Sequence, residues 1–273
     1  MLEFLKTRTR YRTIAILIGI GLCSGALGGL LGLGGGAFVV PALVFFLAFE
    51  QHKAHGTSLA VVLAMSVSSV ITYSLHHYID LMLALQIAIG GVFGAMIGGG
   101  IVNRIKSVAL RRMFSVFLLA AGLKMSLDGY KMLHDIYLGL AQPGAATVGL
   151  SFSLAGMWLA LGTGVLTGFL SALLGVGGGI IMVPMLTMLL RLPQQPAQGI
   201  SLAAMMPIAF TGMLKHHKLG NVDLTVAKWT SVGAVIGGVA GSCVANALDP
   251  GRLKIAFGVF VVLMAALMAM KRK

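Results

Sequence analysis

The first chemistry that the sequence offers is a pair of glycine triplets set inside apolar segments. The stretch GLLGLGGGAFVVPALV begins at Gly29, and the similar stretch ALLGVGGGIIMVPMLT begins at Ala172. A proline follows each triplet, at Pro41 and at Pro184. Because proline is compatible with the first turn of a helix, each triplet predicts a turn directly before a helix begins. A helix start presents unpaired N–H groups and a partial positive charge, and glycine lets a ligand approach them, so two such turns brought together would form a cradle for an anion.

The residues that we predict to bind substrate are the two triplets and the polar side chains on the helices that follow them. They are Gly34, Gly35, Gly36, His55, Thr57, Ser58, Ser68, Gly177, Gly178, Gly179, Gln198, Ser201 and Thr211. All of these donors are neutral, and none of the seven carboxylates of the chain lies at the centre of an apolar segment, as a cation or proton path usually requires. The alternatives are that the glycines only allow close helix packing and that the hydroxyls bond to their own helix backbone.

Other polar residues are predicted to have structural roles. Asp80 and Asp223 precede apolar segments and are predicted to cap the helices that begin there. The adjacent histidines at His76 and in the stretch KHHK at 215–218 lie at segment ends, where we expect solvated loops rather than a metal site, because no acid or cysteine completes a ligand set. We predict no catalytic residue, no metal ligand and no cofactor.

Composition places these motifs in a membrane protein. Of the 273 residues, 58% are hydrophobic and only 10% are charged, whereas soluble domains carry about 25% charged residues. The net charge of +13 does not favour nucleic acid as a partner, because the Lys and Arg residues lie in short gaps between apolar runs. Such gaps are where orientation signals are found in integral membrane proteins. The lipid bilayer is therefore the predicted surrounding of the chain.

The chain is an internal duplication. The two triplets, beginning at Gly34 and Gly177, are 143 residues apart, and the same offset relates Ser58 to Ser201 and His55 to Gln198. We predict transmembrane repeats at 13–127 and 152–270, joined by a connector at 128–151, with cytoplasmic tails at 1–12 and 271–273. Each repeat contains one long apolar segment broken by the glycines and then three ordinary ones, which predicts an all-α integral membrane protein.

Two topologies are open for the broken segments, since each could fold back as a hairpin or cross the membrane once. With a cytoplasmic N-terminus, hairpins place fifteen of the twenty Lys and Arg residues on the cytoplasmic side, whereas single crossings place twelve there. Cytoplasmic loops are enriched in these residues, so the charges favour hairpins and a cytoplasmic C-terminus. The two halves then run in opposite directions as an inverted repeat, which is how many secondary transporters are built.

The repeated motif LLG-[LV]-GGG-x₃-VP, each copy followed by G-x-S-L-A, resembles the TauE/SafE family, also called the sulfite exporter family. The similarity extends over nearly the whole chain outside the connector. The resemblance implies a multi-pass transporter of the bacterial inner membrane for sulfite, organosulfonates or related sulfur-containing anions. It implies that substrate is bound around the two triplets, Ser58 and Ser201.

These observations predict a secondary transporter that moves a small sulfur-containing anion by alternating access, with the anion bound between the two glycine-rich bends. Export could proceed without coupling, whereas import would need a coupled ion, Na⁺ or H⁺. A passive anion channel with the same donors is the alternative. An intramembrane enzyme is not favoured, because the histidines lie mainly at segment ends and the sequence contains no G-x-S-x-G nucleophile motif.

Overall fold

The computed structural model describes residues 2–101, 107–138, 154–174 and 178–270, and these ranges form ten α-helices. The helices of the first half are α1 (Leu2–Leu31), α2 (Gly36–Leu47), α3 (Gln51–Leu75), α4 (Leu81–Ile101) and α5 (Ser107–Tyr137). The helices of the second half are α6 (Leu154–Leu174), α7 (Gly179–Met188), α8 (Gln194–Lys218), α9 (Leu224–Ala247) and α10 (Pro250–Met270). Five spans within the described residues, in α1, α3, α8, α9 and α10, are long and apolar enough to cross a membrane. The predicted all-α membrane fold is confirmed.

The first glycine motif breaks the backbone where the sequence predicts. Helix α1 ends at a left-handed glycine, Gly32, with a φ of 70°, and the N–H of Leu33 bonds back to the carbonyl of Gly28 at 3.0 Å. This is the Schellman pattern that closes helices. Gly34 and Gly35 also have positive φ angles, 75° and 69°, and Gly35 caps the start of α2. Side chains other than glycine rarely adopt this backbone, so the glycines are required by the turn itself.

The prolines of the motifs lie deeper than predicted. Helices α2 and α7 begin at the last glycine of each triplet, so Pro41 and Pro184 lie inside them, beyond the first turn. No side chain caps either helix start. The expectation that the prolines occupy the first turn is therefore wrong, although the turn before each helix is present.

Helix α1 and helix α2 form a hairpin that returns to one end of the bundle. Helix α1 runs parallel to α9, with Gly25 against Ala234 and Gly29 against Gly238. Helix α3, which follows α2, begins beside the start of α9, where Lys53 pairs with the Asp223 carboxylate at 3.3 Å. Helix α2 therefore ends at the same end of the molecule at which α1 enters. The hairpin favoured by the charges is therefore observed for the first broken segment, and the second hairpin stays a prediction.

The helices of each half pack mainly against the other half. Helix α1 packs on α9 and α6 on α4, while α3 packs on α8 and α5 on α10. Glycines make these contacts close: a Cβ on Gly90 or Gly94 of α4, or on Gly168 of α6, would overlap main-chain atoms of the partner helix. Those glycines serve packing, as small residues do between membrane helices. This exchange of partners is consistent with two related halves, and their inverted orientation stays a prediction.

Both predicted aspartate caps are present. The Asp80 carboxylate accepts a hydrogen bond from the N–H of Leu83 at 2.9 Å, and the Asp223 carboxylate accepts bonds from the N–H groups of Thr225 and Val226 at 3.1 Å. Burial opposes ionisation of Asp223, but these backbone N–H groups and the ammonium of Lys53 outweigh it and hold the pKa of its carboxyl below the ordinary value. The charged form is therefore the one that stabilises the fold.

Replacing Asp223 with Ala should lower the free energy of unfolding by about 1 kcal/mol at neutral pH, because α9 loses its cap. Asp80→Ala should have a similar effect through α4, whereas Asp135→Ala, at an exposed position inside α5, should have almost none. The contribution of the Asp223 charge is fully present above about pH 4 and disappears as the pH falls through its depressed pKa. Thermal unfolding in detergent across this pH range measures it, and equal loss in all three variants would contradict the assignment.

Candidate functional site

The start of α7 contacts the first glycine bend. A Cβ on Gly179, the first residue of α7, would overlap the main chain of Leu33 in the first bend. Gly32 packs against Gln198 of α8 in the same region, with only 2.7 Å between a Cβ placed there and the Gln198 Cα. The first bend and the start of α7 thus meet, as the anion cradle requires.

A cavity of about 450 Å³ lies beside the meeting point. It is enclosed by α2, α3, α4, α6, α7 and α8, and Lys215 and His216 near the end of α8 line its mouth. The remaining lining is mostly apolar, with Met96, Met182 and Met205 among its larger side chains. The cavity reaches from one end of the bundle to the start of both short helices, where Gly36 and Gly178 line it.

Five of the predicted binding residues line this cavity: Gly36, His55, Ser58, Gly178 and Thr211. The Ser58 hydroxyl donates to the His55 carbonyl at 2.8 Å, and the Thr211 hydroxyl lies 2.9 Å from the Pro207 carbonyl. Both hydroxyls therefore bond to their own helices, which was the alternative considered for them. Since a hydroxyl can rotate toward a ligand, these bonds are compatible with a place in a binding site.

The other predicted residues lie outside the cavity. Gly34 and Gly35 pack beneath it, against Met205 and Met65 respectively. The Thr57 hydroxyl accepts a hydrogen bond from the N–H of Asp223, so it anchors the start of α9. Gly177 lies outside the described residues.

Three further predicted residues lie on the side of the bends away from the cavity mouth. The Ser201 hydroxyl donates to the Gly32 carbonyl at 3.1 Å, which ties α8 to the first bend. The Ser68 hydroxyl is buried and donates to the Met65 carbonyl at 2.8 Å. Gln198 is fully buried and contacts Tyr73. Together with Gly179, these residues belong to packed protein rather than to the open cavity.

Sequence reasoning missed Lys215 and His216. The stretch at 215–218 was expected to be a loop, but it is the last turn of α8, and this expectation is wrong. Helical structure turns His216 toward His55 of α3, and their ring centroids are 5.8 Å apart. The pairing joins residues from opposite halves of the chain, so no local pattern could reveal it.

The internal duplication relates the two histidines at the mouth to a second pair of residues, on the other side of the bends. At the same offset of 143 residues, His55 is equivalent to Gln198 and His216 to Tyr73. The Tyr73 hydroxyl lies 2.9 Å from the Gln198 side-chain oxygen and 2.9 Å from the Gly29 carbonyl, and all of these atoms are buried. The same pair of positions therefore carries two histidine rings in edge-to-face contact beside the cavity at one end and a buried hydrogen bond at the other.

Polar atoms without partners are concentrated on this closed side. Ser66 and Ser69 are fully buried, and neither hydroxyl has a hydrogen-bond partner. One polar atom of the Gln198 amide is also unsatisfied. The equivalents of Ser66 and Ser69 are Ala209 and Gly212, which line the open cavity. Buried hydroxyls without partners are unfavourable, so this side carries a local energetic cost.

A second, smaller pocket of about 250 Å³ lies elsewhere. It is lined by charged residues of α5 and α10 and of the segment after α7, namely Lys124, Asp128, Arg191 and Lys254, and Lys254 pairs with Asp128 at 3.6 Å. None of the predicted binding residues lines it. The cavity beside the two bends is therefore the candidate site.

Comparison of the sequence with known proteins identifies a family. The model of the family described as "Sulfite exporter TauE/SafE" matches residues 3–125 and 159–273. The probable membrane transporter protein YunE of Bacillus subtilis is 27% identical over 262 residues, which cover 92% of this chain and 95% of that protein. A probable membrane transporter protein of Methanocaldococcus jannaschii is 28% identical, over 89% of this chain and 90% of its own length. The chain belongs to the sulfite exporter TauE/SafE family.

Proposed function

We propose that this protein is a secondary transporter for a small sulfur-containing anion, such as sulfite or a sulfonate, and that the anion binds in the cavity beside the two glycine bends. One observation carries the proposal: the cavity reaches the start of both short helices and contains cationic and neutral donors but, among its described lining residues, no carboxylate. The family relationship supports a transporter of this substrate class.

The binding mode follows from the helix starts. Helices α2 and α7 begin at the cavity, and no side chain caps the start of either helix. Their free N–H groups and partial positive charge attract an anion, and Ser58, Thr211 and His55 can add hydrogen bonds from α8 and α3. Lys215 at the mouth draws anions inward by long-range attraction.

Alternating access is the mechanism that fits the two sides of the bends. In the state described, the mouth at His55 and His216 is open and the equivalent contact between Tyr73 and Gln198 is closed. Rocking of the inverted halves would exchange these roles, expose Ser66 and Ser69 to water and close the first mouth. The charge distribution favours a cytoplasmic position for the open mouth, at the inner membrane of a bacterium, with both termini on the same side.

The closed contact favours a carrier over the alternative, a passive channel. Tyr73, Gln198 and Ser201 fill the space between the bends and the opposite end, and each is buried. A carrier of this kind can export an anion without a coupled ion, since an inside-negative potential drives it outward with about 2.3 kcal/mol per charge per 100 mV. Import against that potential requires a coupled cation.

Proteoliposome flux of sulfite, sulfate, thiosulfate, taurine and sulfoacetate tests the proposal. We expect saturable flux of at least one of them, stimulated by the same anion on the opposite side, because a carrier returns faster when loaded. Gly178→Val should reduce this flux at least tenfold. A Cβ at Gly178 meets only the Ser171 hydroxyl at 3.7 Å and the Met182 methyl at 4.0 Å, so the new side chain enters the cavity without distorting the backbone.

The matched control is Gly162→Val, since a Cβ at Gly162 meets no atom within 4 Å and the residue is exposed on the outer face of α6. Its flux should equal that of the unaltered protein. Normal flux in Gly178→Val, or large single-channel currents, would contradict the proposed carrier site.

Removing the hydroxyl that closes the opposite side should shift the conformational equilibrium. Tyr73→Phe deletes a buried contact worth about 1 kcal/mol, so the state open at that side should become about fivefold more populated. A cysteine introduced at Ser69, with Cys23 and Cys243 replaced, should then react faster with a hydrophilic thiol reagent. Tyr137→Phe, which alters an exposed tyrosine, should leave the rate unchanged. A Ser69→Cys site that never reacts under transport conditions would rule out exchange between the two sides.

A further inference from the structure

The mouth of the cavity concentrates titratable side chains. His55 of α3 and His216 of α8 line it with their rings edge to face, 5.8 Å apart, and Lys215 lines it as well. His52, almost one turn before His55, interacts electrostatically with both of these histidines. The Nδ1 atom of His216 is buried and has no hydrogen-bond partner. Four basic groups thus converge where an anion would enter, and one ring nitrogen is left for a ligand.

No acid balances these groups within the described lining of the cavity. Helices α2, α4, α6 and α7 contribute only apolar, glycine, serine and threonine residues to it. Asp223, at the start of the neighbouring helix α9, is engaged by Lys53 at 3.3 Å and by the first N–H groups of α9. A proton on either cavity histidine therefore has no carboxylate within the described lining to balance it.

We propose that His55 and His216 form a proton-linked anion site, in which the transported anion and a proton on the histidine pair bind together. This inference rests on the function proposed above and names its coupling ion. A bound anion supplies the negative charge that the mouth lacks, so it stabilises the imidazolium form. By reciprocity, protonation strengthens anion binding by the same factor. Anion affinity therefore rises as the pH falls through the range in which histidine titrates, by up to about tenfold per pH unit for each proton taken up.

The equivalent pair of residues on the other side of the bends carries no imidazole. Gln198 and Tyr73, the equivalents of His55 and His216, are neutral at physiological pH and bond to each other. Of these two equivalent pairs, only His55 and His216 can take up a proton in the range in which histidine titrates. A proton that accompanies the anion couples transport to the proton gradient without any carboxylate inside the membrane.

The test measures anion binding to the purified full-length protein in detergent at pH 6 and pH 8. Sulfate, thiosulfate and sulfoacetate are suitable probes, because their charges stay constant over this range. Isothermal titration in two buffers of different ionisation enthalpy counts the protons taken up. We expect the dissociation constant of at least one anion to be about tenfold or more lower at pH 6, with net proton uptake.

Variants distinguish the contribution of the histidine pair to this pH dependence from that of neighbouring residues. His55→Gln and His216→Gln should each reduce the ratio of the two dissociation constants, and the double variant with His55→Gln and His216→Tyr should bring it close to one. The double variant recreates the residue pair that the fold already accommodates at its other end, which guards against misfolding. His217→Gln is the matched control, since His217 is exposed, adjacent on α8 and does not line the cavity; it should keep the full ratio.

Two results would overturn the inference while leaving the proposed transport function intact. One is anion binding by the unaltered protein with equal affinity at both pH values and no proton uptake. The other is a ratio that survives in the double variant. Failure of all three anions to bind at pH 6 would instead contradict the proposed function, and the inference with it.

Discussion

The fold depends on one constraint: a helix that stops inside a membrane protein must have its exposed backbone groups covered by protein or by a polar cavity. Two apolar helices of this chain stop in this way, at Leu31 and at Leu174. The first stop is covered by its own Schellman closure and by α8, whose Ser201 hydroxyl bonds to the Gly32 carbonyl. The starts of α2 and α7 face a cavity instead. The first N–H groups of these two helices therefore lie beside the cavity rather than against packed protein.

Equivalent positions of the two halves have different surroundings on the two sides of the bends. On the open side, His55, His216, Ala209 and Gly212 line the cavity, whereas on the closed side their equivalents are polar and packed. The closed side holds hydroxyls at Ser66 and Ser69 that have no partner. Their unsatisfied state raises the free energy of the closed arrangement, and the contacts of Tyr73 with Gln198 and Gly29 offset part of this cost.

Much of this architecture could be predicted from the sequence. The duplicated glycine triplets predicted both backbone breaks, and the aspartates at Asp80 and Asp223 predicted two helix caps, because each signal is local. The depth of Pro41 and the helical state of 215–218 were not predicted, since a helix start and end depend on packing as well as on residue type. The cavity lining was only partly predicted. Ser58 and its equivalent Ser201 are alike in sequence, yet Ser58 lines the cavity and Ser201 bonds to the first bend, because the helices around them pack differently.

The central claim is that an anion binds between the cavity and the starts of α2 and α7. The most direct measurement is a crystal structure with selenate, a heavier analogue of sulfate whose selenium can be located by anomalous scattering. We expect a selenium peak inside the cavity, with the anion within hydrogen-bonding reach of the backbone beside Gly36 or Gly178. A cavity without selenium, with the anion bound only in the separate pocket at Lys124 and Arg191, would contradict it.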